Sequence, residues 1–141
     1  MKILIASDEA NHVTADVIEY LKDNDRDVIL GGHLTSDNLK WQWAKIAKEA
    51  AKLQASGEIT HTILFCWSGT GVSIAANKIK GIRAALCWDA ETARLARKWD
   101  DANVLCLSSR YTSTQLAKEI IDTFLNTDFD EEDLDQVSKI E

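Results

Sequence analysis

The stretch TILFCWSGTGVSIAANKI, residues 62–79, decides the fold of this chain. It begins with β-branched and aromatic residues, TILFC, which are typical of a buried strand. Gly69 and Gly71 then interrupt the apolar run, and small residues at helical spacing follow. A strand, a glycine turn and a helix in this order form the unit of a parallel sheet, because the helix carries the chain back to start the next strand.

The same alternation of strand and helix extends on both sides of this stretch. The apolar runs predict strands at residues 2–6, 27–30, 62–66, 83–87 and 104–107. Helical spacing predicts helices at residues 13–22, 39–55, 72–79, 91–99 and 115–125. The pattern therefore predicts an α/β protein with a Rossmann-like three-layer α/β/α architecture, in which a five-stranded, mostly parallel sheet is covered on both faces.

The predicted elements form one domain over residues 1–125, followed by an acidic segment over residues 126–141. This segment contains seven acids and one lysine, so it carries −6 of the net charge of −7. Leu134, Val137 and Ile140 recur in it at helical spacing. We therefore expect a last short helix that docks on another surface.

The composition limits the classes of function. With 45% hydrophobic and 28% charged residues, the 141-residue chain is typical of a globular protein. No apolar run approaches the roughly 18–20 residues that span a bilayer, and the first residues lack the apolar core of a signal peptide. The net negative charge argues against nucleic acid or a membrane as partner. Because the three cysteines form no metal-binding or disulfide pattern, we expect a cytoplasmic protein without a metal.

Ligands of parallel α/β sheets bind beyond the carboxyl ends of the strands. Here those ends are residues 7–11, 66–71, 88–89 and 108–110. Within residues 66–71 the glycines allow a tight turn with exposed N–H groups, which suits a phosphate or an enolate oxygen. A thiol at Cys66 would have a lowered pKa there and would serve as base or nucleophile. The alternative is that Cys66, like Cys87 and Cys106, is a small buried hydrophobic residue.

The sequence CWSGTGVSIAANK, from Cys66 to Lys78, resembles the C-G-T-G-x-G-x-S-I-A-A-N-K stretch of the ribose-5-phosphate isomerase B family, which includes the galactose-6-phosphate isomerase subunits. The similarity continues through residues 81–87, 92–97 and 101–105 and reaches about Leu125. Residues 1–10 resemble the opening strand of the family and its S-D-H-A turn.

This resemblance implies an aldose–ketose isomerase that works through a cis-enediolate without a metal or an organic cofactor. The thiol of Cys66 would take the α-proton, the hydroxyl of Ser68 would move protons between the two oxygens, and backbone amides of residues 67–71 would stabilise the enediolate. The family is dimeric with pockets lined by both subunits, which implies a homodimer with shared active sites. The candidate catalytic residues are Cys66, Ser68 and Asp100, and the candidate substrate-binding residues are Asp8, Glu9, Trp67, Gly69, Thr70, Gly71, Trp99 and Arg110.

The sequence departs from the family pattern where phosphate would bind. Glu9 stands in place of a phosphate-binding histidine, Trp99 in place of the histidine that opens the sugar ring, and Asp100 in place of the neighbouring asparagine. Acidic residues 128–133 correspond to an arginine-rich segment, and Arg110 is the anion-binding arginine that is retained. Because carboxylates repel a phosphate dianion, the sequence favours a substrate altered from the usual phosphosugar.

Three interpretations therefore stay open. The first is an isomerase for a small aldose or ketose, with an unphosphorylated sugar among the candidate substrates. The second is the ordinary activity on pentose or hexose phosphates, with phosphate held by Arg110. The third is a non-catalytic sugar-binding homologue; the departures at Trp99 and Asp100 favour it, whereas the retained Cys66 and Ser68 argue against it.

Overall fold

A five-stranded parallel sheet forms the centre of the molecule, which is described here as a computed structural model covering residues 1–140. The strands follow the order β2-β1-β3-β5-β4 across the sheet, and every neighbouring pair is parallel. This confirms the predicted α/β class with a Rossmann-like sheet. The strands are β1 (Lys2–Ser7), β2 (Asp27–Gly32), β3 (His61–Cys66), β4 (Ala84–Leu86) and β5 (Val104–Ser108).

Helices cover both faces of the sheet, and two of them begin at capping boxes. The side chain of Asn11 accepts a hydrogen bond from the Thr14 N–H, and that of Asp89 accepts one from the Thr92 N–H. Such caps satisfy amide groups that the first helical turn leaves without partners. The helices are α1 (His12–Asp23), α2 (Trp43–Ala55), α3 (Thr70–Ala76), α4 (Ala90–Asp100), α5 (Thr114–Asn126) and α6 (Leu134–Val137).

The helix predicted over residues 39–55 is wrong in its first part. Residues Asp37–Leu39 form a 3-10 turn instead, and α2 begins only at Trp43. Between them Trp41 takes a left-handed φ of +64° and donates its N–H to the carbonyl of Asp8 at 2.9 Å. This contact with the end of β1 overrides the local helical preference.

The central strand β3 divides the core into two layers. Ile63 and Phe65 point towards the layer of α1, α4 and α5, whereas Leu64 and Cys66 point towards the layer of α2 and α3. Side chains of a strand alternate between its two faces, so the register of β3 decides which helices surround the thiol. Cys66 therefore lies at the carboxyl end of the sheet, on the side covered by α2 and α3.

The acidic segment lies against the end of α4. The N–H of Asp130 donates to the carbonyl of Lys98 at 2.7 Å, and the guanidinium of Arg97 donates to the carbonyl of Thr127 at 3.2 Å. Asn126, at the start of the predicted segment, is the last residue of α5. Glu141, its last residue, lies outside the described residues.

Two of the apolar side chains of this segment stay largely exposed within one chain, whereas Val137 is partly buried. Leu134 and Ile140 are each 55% exposed, although they belong to the helical stripe that predicted docking. Across the described part of the chain, no helix has both the length and the apolar character needed to cross a membrane.

Candidate active site

A cavity of about 230 Å³ opens at the carboxyl end of the sheet. Its lining comes from the ends of β1 and β3, the turn after β3, and the starts of α2 and α3. The lining residues are Asp8, Trp43, Cys66, Trp67, Ser68 and Gly71. Ligand cavities usually measure about 300–1,000 Å³, so this one suits a small substrate.

The thiol of Cys66 faces a backbone donor. Cys66 is 4% exposed, and the N–H of Gly69 donates to its Sγ atom at 3.2 Å. Gly69 has a φ of +77°, and a Cβ atom there would lie 2.6 Å from Leu86 Cδ1. Only glycine fits this conformation and this space, so the turn keeps its N–H directed at the sulfur.

The turn after Cys66 also brings a hydroxyl to the cavity. Ser68 lines it, and its Oγ atom accepts a hydrogen bond from the N–H of Thr70 at 3.3 Å. Thr70 is exposed and begins α3. The carbonyl of Trp67 accepts a hydrogen bond from the Ser108 hydroxyl at 2.6 Å, which ties this turn to the end of β5.

The indole of Trp43 lies directly on Gly71 and forms a wall of the cavity. A Cβ atom at Gly71 would lie 2.9 Å from Trp43 Cε3. The side chain of Trp43 is 43% exposed, so the ring is seated on the glycine and also reaches solvent. A flat apolar wall of this kind can contact the C–H face of a sugar.

Asp8 is a buried carboxyl group at the same cavity. It is 3% exposed, and its Oδ1 atom has no hydrogen-bond partner among the described residues. Burial, together with the neighbouring charge of Glu9, raises the pKa of Asp8 to about 6, while the backbone of Asp8 and, less strongly, the charge of His33 act in the opposite direction. Such a carboxyl exchanges protons near neutral pH.

Glu9 and Arg110 lie beside this cavity without lining it. The Oε1 atom of Glu9 accepts a hydrogen bond from the Ser109 hydroxyl at 2.8 Å. The guanidinium of Arg110 is placed over the ring of Trp67 at 5.9 Å and over that of Tyr111 at 5.4 Å. A carboxylate, that of Glu9, and a guanidinium cation, that of Arg110, therefore both lie near the end of β5.

Trp99 and Asp100 are not brought to Cys66 within one chain. Helix α4 starts after the carboxyl end of β4 and runs back towards the amino end of β5, so its last residues lie at the opposite edge of the sheet. There they line a separate groove of about 650 Å³ together with Asp133, Gln136, Val137 and Ile140. The other nine candidate residues gather at or beside the carboxyl edge.

The other two cysteines are buried. Burial raises the pKa of the Cys87 thiol to about 11 and shifts the pKa of Cys106 upwards as well. Neither lines the cavity that contains Cys66. Among residues 1–140, no group of three or more histidine, cysteine or acidic side chains is placed to hold a metal ion.

Sequence reasoning missed two neighbours of the site, Trp43 and His33. Trp43 was included in a predicted helix, whereas it starts α2 and lines the cavity. His33 follows the end of β2 and acts electrostatically on Asp8. The rule of strand carboxyl ends could have identified His33, since Gly31 and Gly32 mark the end of an apolar run in the sequence.

Comparison with known proteins shows relatives over nearly the whole chain. The family model described as Ribose/Galactose Isomerase matches residues 3–140. Galactose-6-phosphate isomerase subunit LacB of Clostridium acetobutylicum is 38% identical over 130 residues, which cover 89% of this chain and 74% of that protein. Ribose-5-phosphate isomerase B of Escherichia coli is 36% identical over 115 residues, covering 82% and 76%.

A solved structure agrees with these sequence matches. The crystal structure of a ribose 5-phosphate isomerase from Thermotoga maritima superposes with a TM-score of 0.91 at 39% identity, covering 99% of this chain and 96% of that one. The chain therefore belongs to the ribose/galactose isomerase family, as the resemblance around Cys66 predicted, and it is a sugar isomerase of that type.

The three cysteines should differ in their reactivity towards iodoacetamide. We expect Cys66 to be carboxamidomethylated first in the folded protein at pH 8, because it lines a cavity and faces a backbone donor. Cys87 and Cys106 should react only on unfolding, since burial disfavours their thiolates. Peptide mass spectrometry of a labelling time course measures this, and equal rates at all three sites in the folded protein would contradict it.

Proposed function

We propose that this chain interconverts an aldose and a ketose through a cis-enediolate, with Cys66 as the base. The observation that carries the proposal is the thiol of Cys66 at the cavity wall, with the Gly69 N–H at 3.2 Å from its sulfur. Isomerisation requires a base close to a carbon-bound proton. A backbone N–H beside the sulfur stabilises negative charge there.

The neighbouring groups relay the other proton and stabilise the negative charge that develops. Ser68 lines the same cavity, and its hydroxyl both donates and accepts, so it can relay a proton between the two oxygens of the enediolate. The turn from Trp67 to Gly71 presents backbone amides to the developing oxyanion. In this proposal the reaction needs no metal and no organic cofactor.

Replacing Cys66 should separate catalysis from folding. We expect Cys66→Ala to lower kcat by about 10²–10⁴-fold or more, because a catalytic base contributes on this order. The matched control is Cys87→Ala, which removes another buried thiol outside the cavity and should keep turnover. Kinetics on a panel of aldoses and ketoses, with circular dichroism to check the fold, measures the effect; near wild-type turnover in Cys66→Ala would exclude Cys66 as the base.

We further propose that the substrate is altered from the usual phosphosugar towards a neutral sugar. The relatives above are named for ribose 5-phosphate and galactose 6-phosphate. Beside the cavity, however, Glu9 adds a negative charge, and the guanidinium of Arg110 lies over two aromatic rings. Each uncompensated carboxylate near a phosphate costs on the order of 1–4 kcal/mol, depending on distance and dielectric.

Ribose 5-phosphate should therefore be a poor substrate compared with free pentoses and hexoses. Glu9→Gln should raise the ratio of kcat/KM for ribose 5-phosphate over that for ribose by about tenfold, since one repulsive contact of about 1.4 kcal/mol is removed. Glu19→Gln, on the exposed face of α1, serves as the control for a lost charge. A wild-type kcat/KM for ribose 5-phosphate of about 10⁴ M⁻¹s⁻¹ or more, which is ordinary for enzymes, would instead support the usual phosphosugar activity.

A homodimer with pockets at the subunit boundary completes this proposal. Trp99 and Asp100 lie at the sheet edge opposite Cys66, so a second copy is needed to bring them to the cavity. The segment that lies beside them exposes Leu134 and Ile140, each by 55%. Burial of such side chains stabilises an interface between two copies.

Sedimentation equilibrium should detect this dimer at micromolar concentration. The expected mass is twice the 15.7 kDa of one chain, and Leu134→Asp together with Ile140→Asp should shift the equilibrium towards monomers, because the two carboxylates would be buried on association. A wild-type protein that sediments only as a 15.7 kDa species would contradict the dimer.

A further inference from the structure

We infer that Asp101 is a positioning residue for the active site of the partner subunit, because its carboxylate fixes the end of α4 against the neighbouring parts of the fold. The inference rests on the proposed homodimeric isomerase, in which Trp99 and Asp100 of one copy reach the cavity of the other. Asp101 itself touches no substrate in this arrangement and acts through these two neighbours.

The carboxylate of Asp101 lies between two guanidinium groups. Its Oδ2 atom accepts a hydrogen bond at 2.8 Å from Arg83, which directly precedes β4, and its Oδ1 atom accepts one at 3.1 Å from Arg97 on α4. The backbone carbonyl of Asp101 accepts a further bond from the Nε atom of Arg83 at 2.8 Å. Hydrogen bonds between charged groups are the stronger ones, and only 18% and 11% of the two arginine side chains are exposed. Solvent therefore screens these two ion pairs less than it screens surface pairs.

Arg97 extends this network to the acidic segment. Its guanidinium also donates to the carbonyl of Thr127 at 3.2 Å, directly after the end of α5. A few residues later, the N–H of Asp130 donates to the carbonyl of Lys98 at 2.7 Å. Because one guanidinium bonds both Asp101 and Thr127, the end of α4 and the acidic segment are held relative to each other.

The two residues at the end of α4 depend on the backbone for their orientation. Trp99 is 47% exposed and Asp100 is exposed as well, so the direction of each side chain follows mainly from the last turn of the helix. That turn ends in a left-handed conformation, since Asp101 has a φ of +47°. Such a φ is uncommon outside glycine and persists where surrounding contacts hold it. The two arginines supply contacts of this kind.

The turn after α4 has supports besides this carboxylate. The N–H of Ala102 donates to the carbonyl of Ala96 at 3.0 Å, which closes the end of the helix. The side chain of Asn103 separately accepts a hydrogen bond from the N–H of Arg83 at 2.9 Å. Loss of the charge on Asp101 should therefore leave a folded dimer in which the end of α4 is held less closely.

Asp101→Asn tests this role, because asparagine keeps the size of the side chain and removes its charge. On the panel of aldoses and ketoses, with ribose 5-phosphate included, kcat should fall about 10–100-fold in a variant that still sediments as a dimer, since a misplacement of about 1 Å can cost this much. The matched control is Glu91→Gln, which removes an exposed ion pair with Arg94 at the other end of α4 and should keep turnover.

A second variant covers the case in which Asp101→Asn does not fold. Arg83→Lys keeps a positive charge beside Asp101 but cannot reproduce the two bonds from the planar guanidinium. It should lower kcat in the same direction.

Mixed dimers distinguish an effect on the partner's cavity from an effect within one chain. Chains with Cys66→Ala and chains with Asp101→Asn are co-expressed with different affinity tags, and the mixed dimer is purified. One of its two cavities combines an intact Cys66 with the intact end of α4 from the other chain, so about half of the wild-type turnover should return. If Asp101 acts only within its own chain, neither cavity is intact and turnover stays low.

Hydrogen exchange followed by mass spectrometry gives a readout that does not need turnover. In Asp101→Asn, the amides of residues 99–103 and 127–133 should exchange about tenfold faster, whereas those of α2 should keep their wild-type rates. Unchanged exchange in these two ranges, a wild-type kcat in Asp101→Asn, or a mixed dimer without recovered turnover would each overturn the inference. A wild-type chain that isomerises no sugar of the panel would instead refute the proposed function, and hydrogen exchange would then decide whether Asp101 holds the end of α4.

Discussion

The close packing of Gly69 is the constraint on which the site depends. A Cβ atom at this residue would lie 2.6 Å from Leu86 Cδ1 and 2.9 Å from the carbonyl carbon of Leu107, so the turn rests directly on β4 and β5. With a φ of +77°, the same residue reverses the chain and directs its N–H at the sulfur of Cys66. One position without a side chain thus joins the sheet, the start of α3 and the thiol into a single rigid arrangement.

The parts of this site that the sequence predicts are those encoded by neighbouring residues. Local sequence patterns encode the strand that ends at Cys66, the two glycines and the helix after them. The alternation of strands and helices along the chain was enough to predict the parallel sheet. Trp43 and His33 escaped prediction because tertiary contacts place them. The hydrogen bond from Trp41 to the carbonyl of Asp8 delays the start of the predicted helix to Trp43, and no local pattern encodes a contact between residues so far apart in the chain.

Two unfavourable local features meet at the end of β1. Trp41 holds a left-handed φ of +64° without being glycine, and Asp8 buries a carboxyl oxygen without a partner. The hydrogen bond between their backbones links the two. Backbone strain and unsatisfied polar groups persist only where the surrounding structure holds them, and they cluster at functional sites. The buried strand β3 next to β1 supplies that support, since all six of its residues are buried.

In the proposed preference for a neutral sugar, Glu9 would bind the substrate as well as repel a phosphate. The carboxylate of Glu9 already accepts a hydrogen bond from a hydroxyl, that of Ser109, at 2.8 Å. A sugar hydroxyl presents the same donor, and a carboxylate has several acceptor sites, so the group can bind alcohol oxygens while its charge opposes a phosphate. The guanidinium of Arg110 lies within cation–π distance of the rings of Trp67 and Tyr111. Under this proposal, discrimination between a hydroxyl and a phosphate would arise at one residue, without any change in the proposed cysteine chemistry.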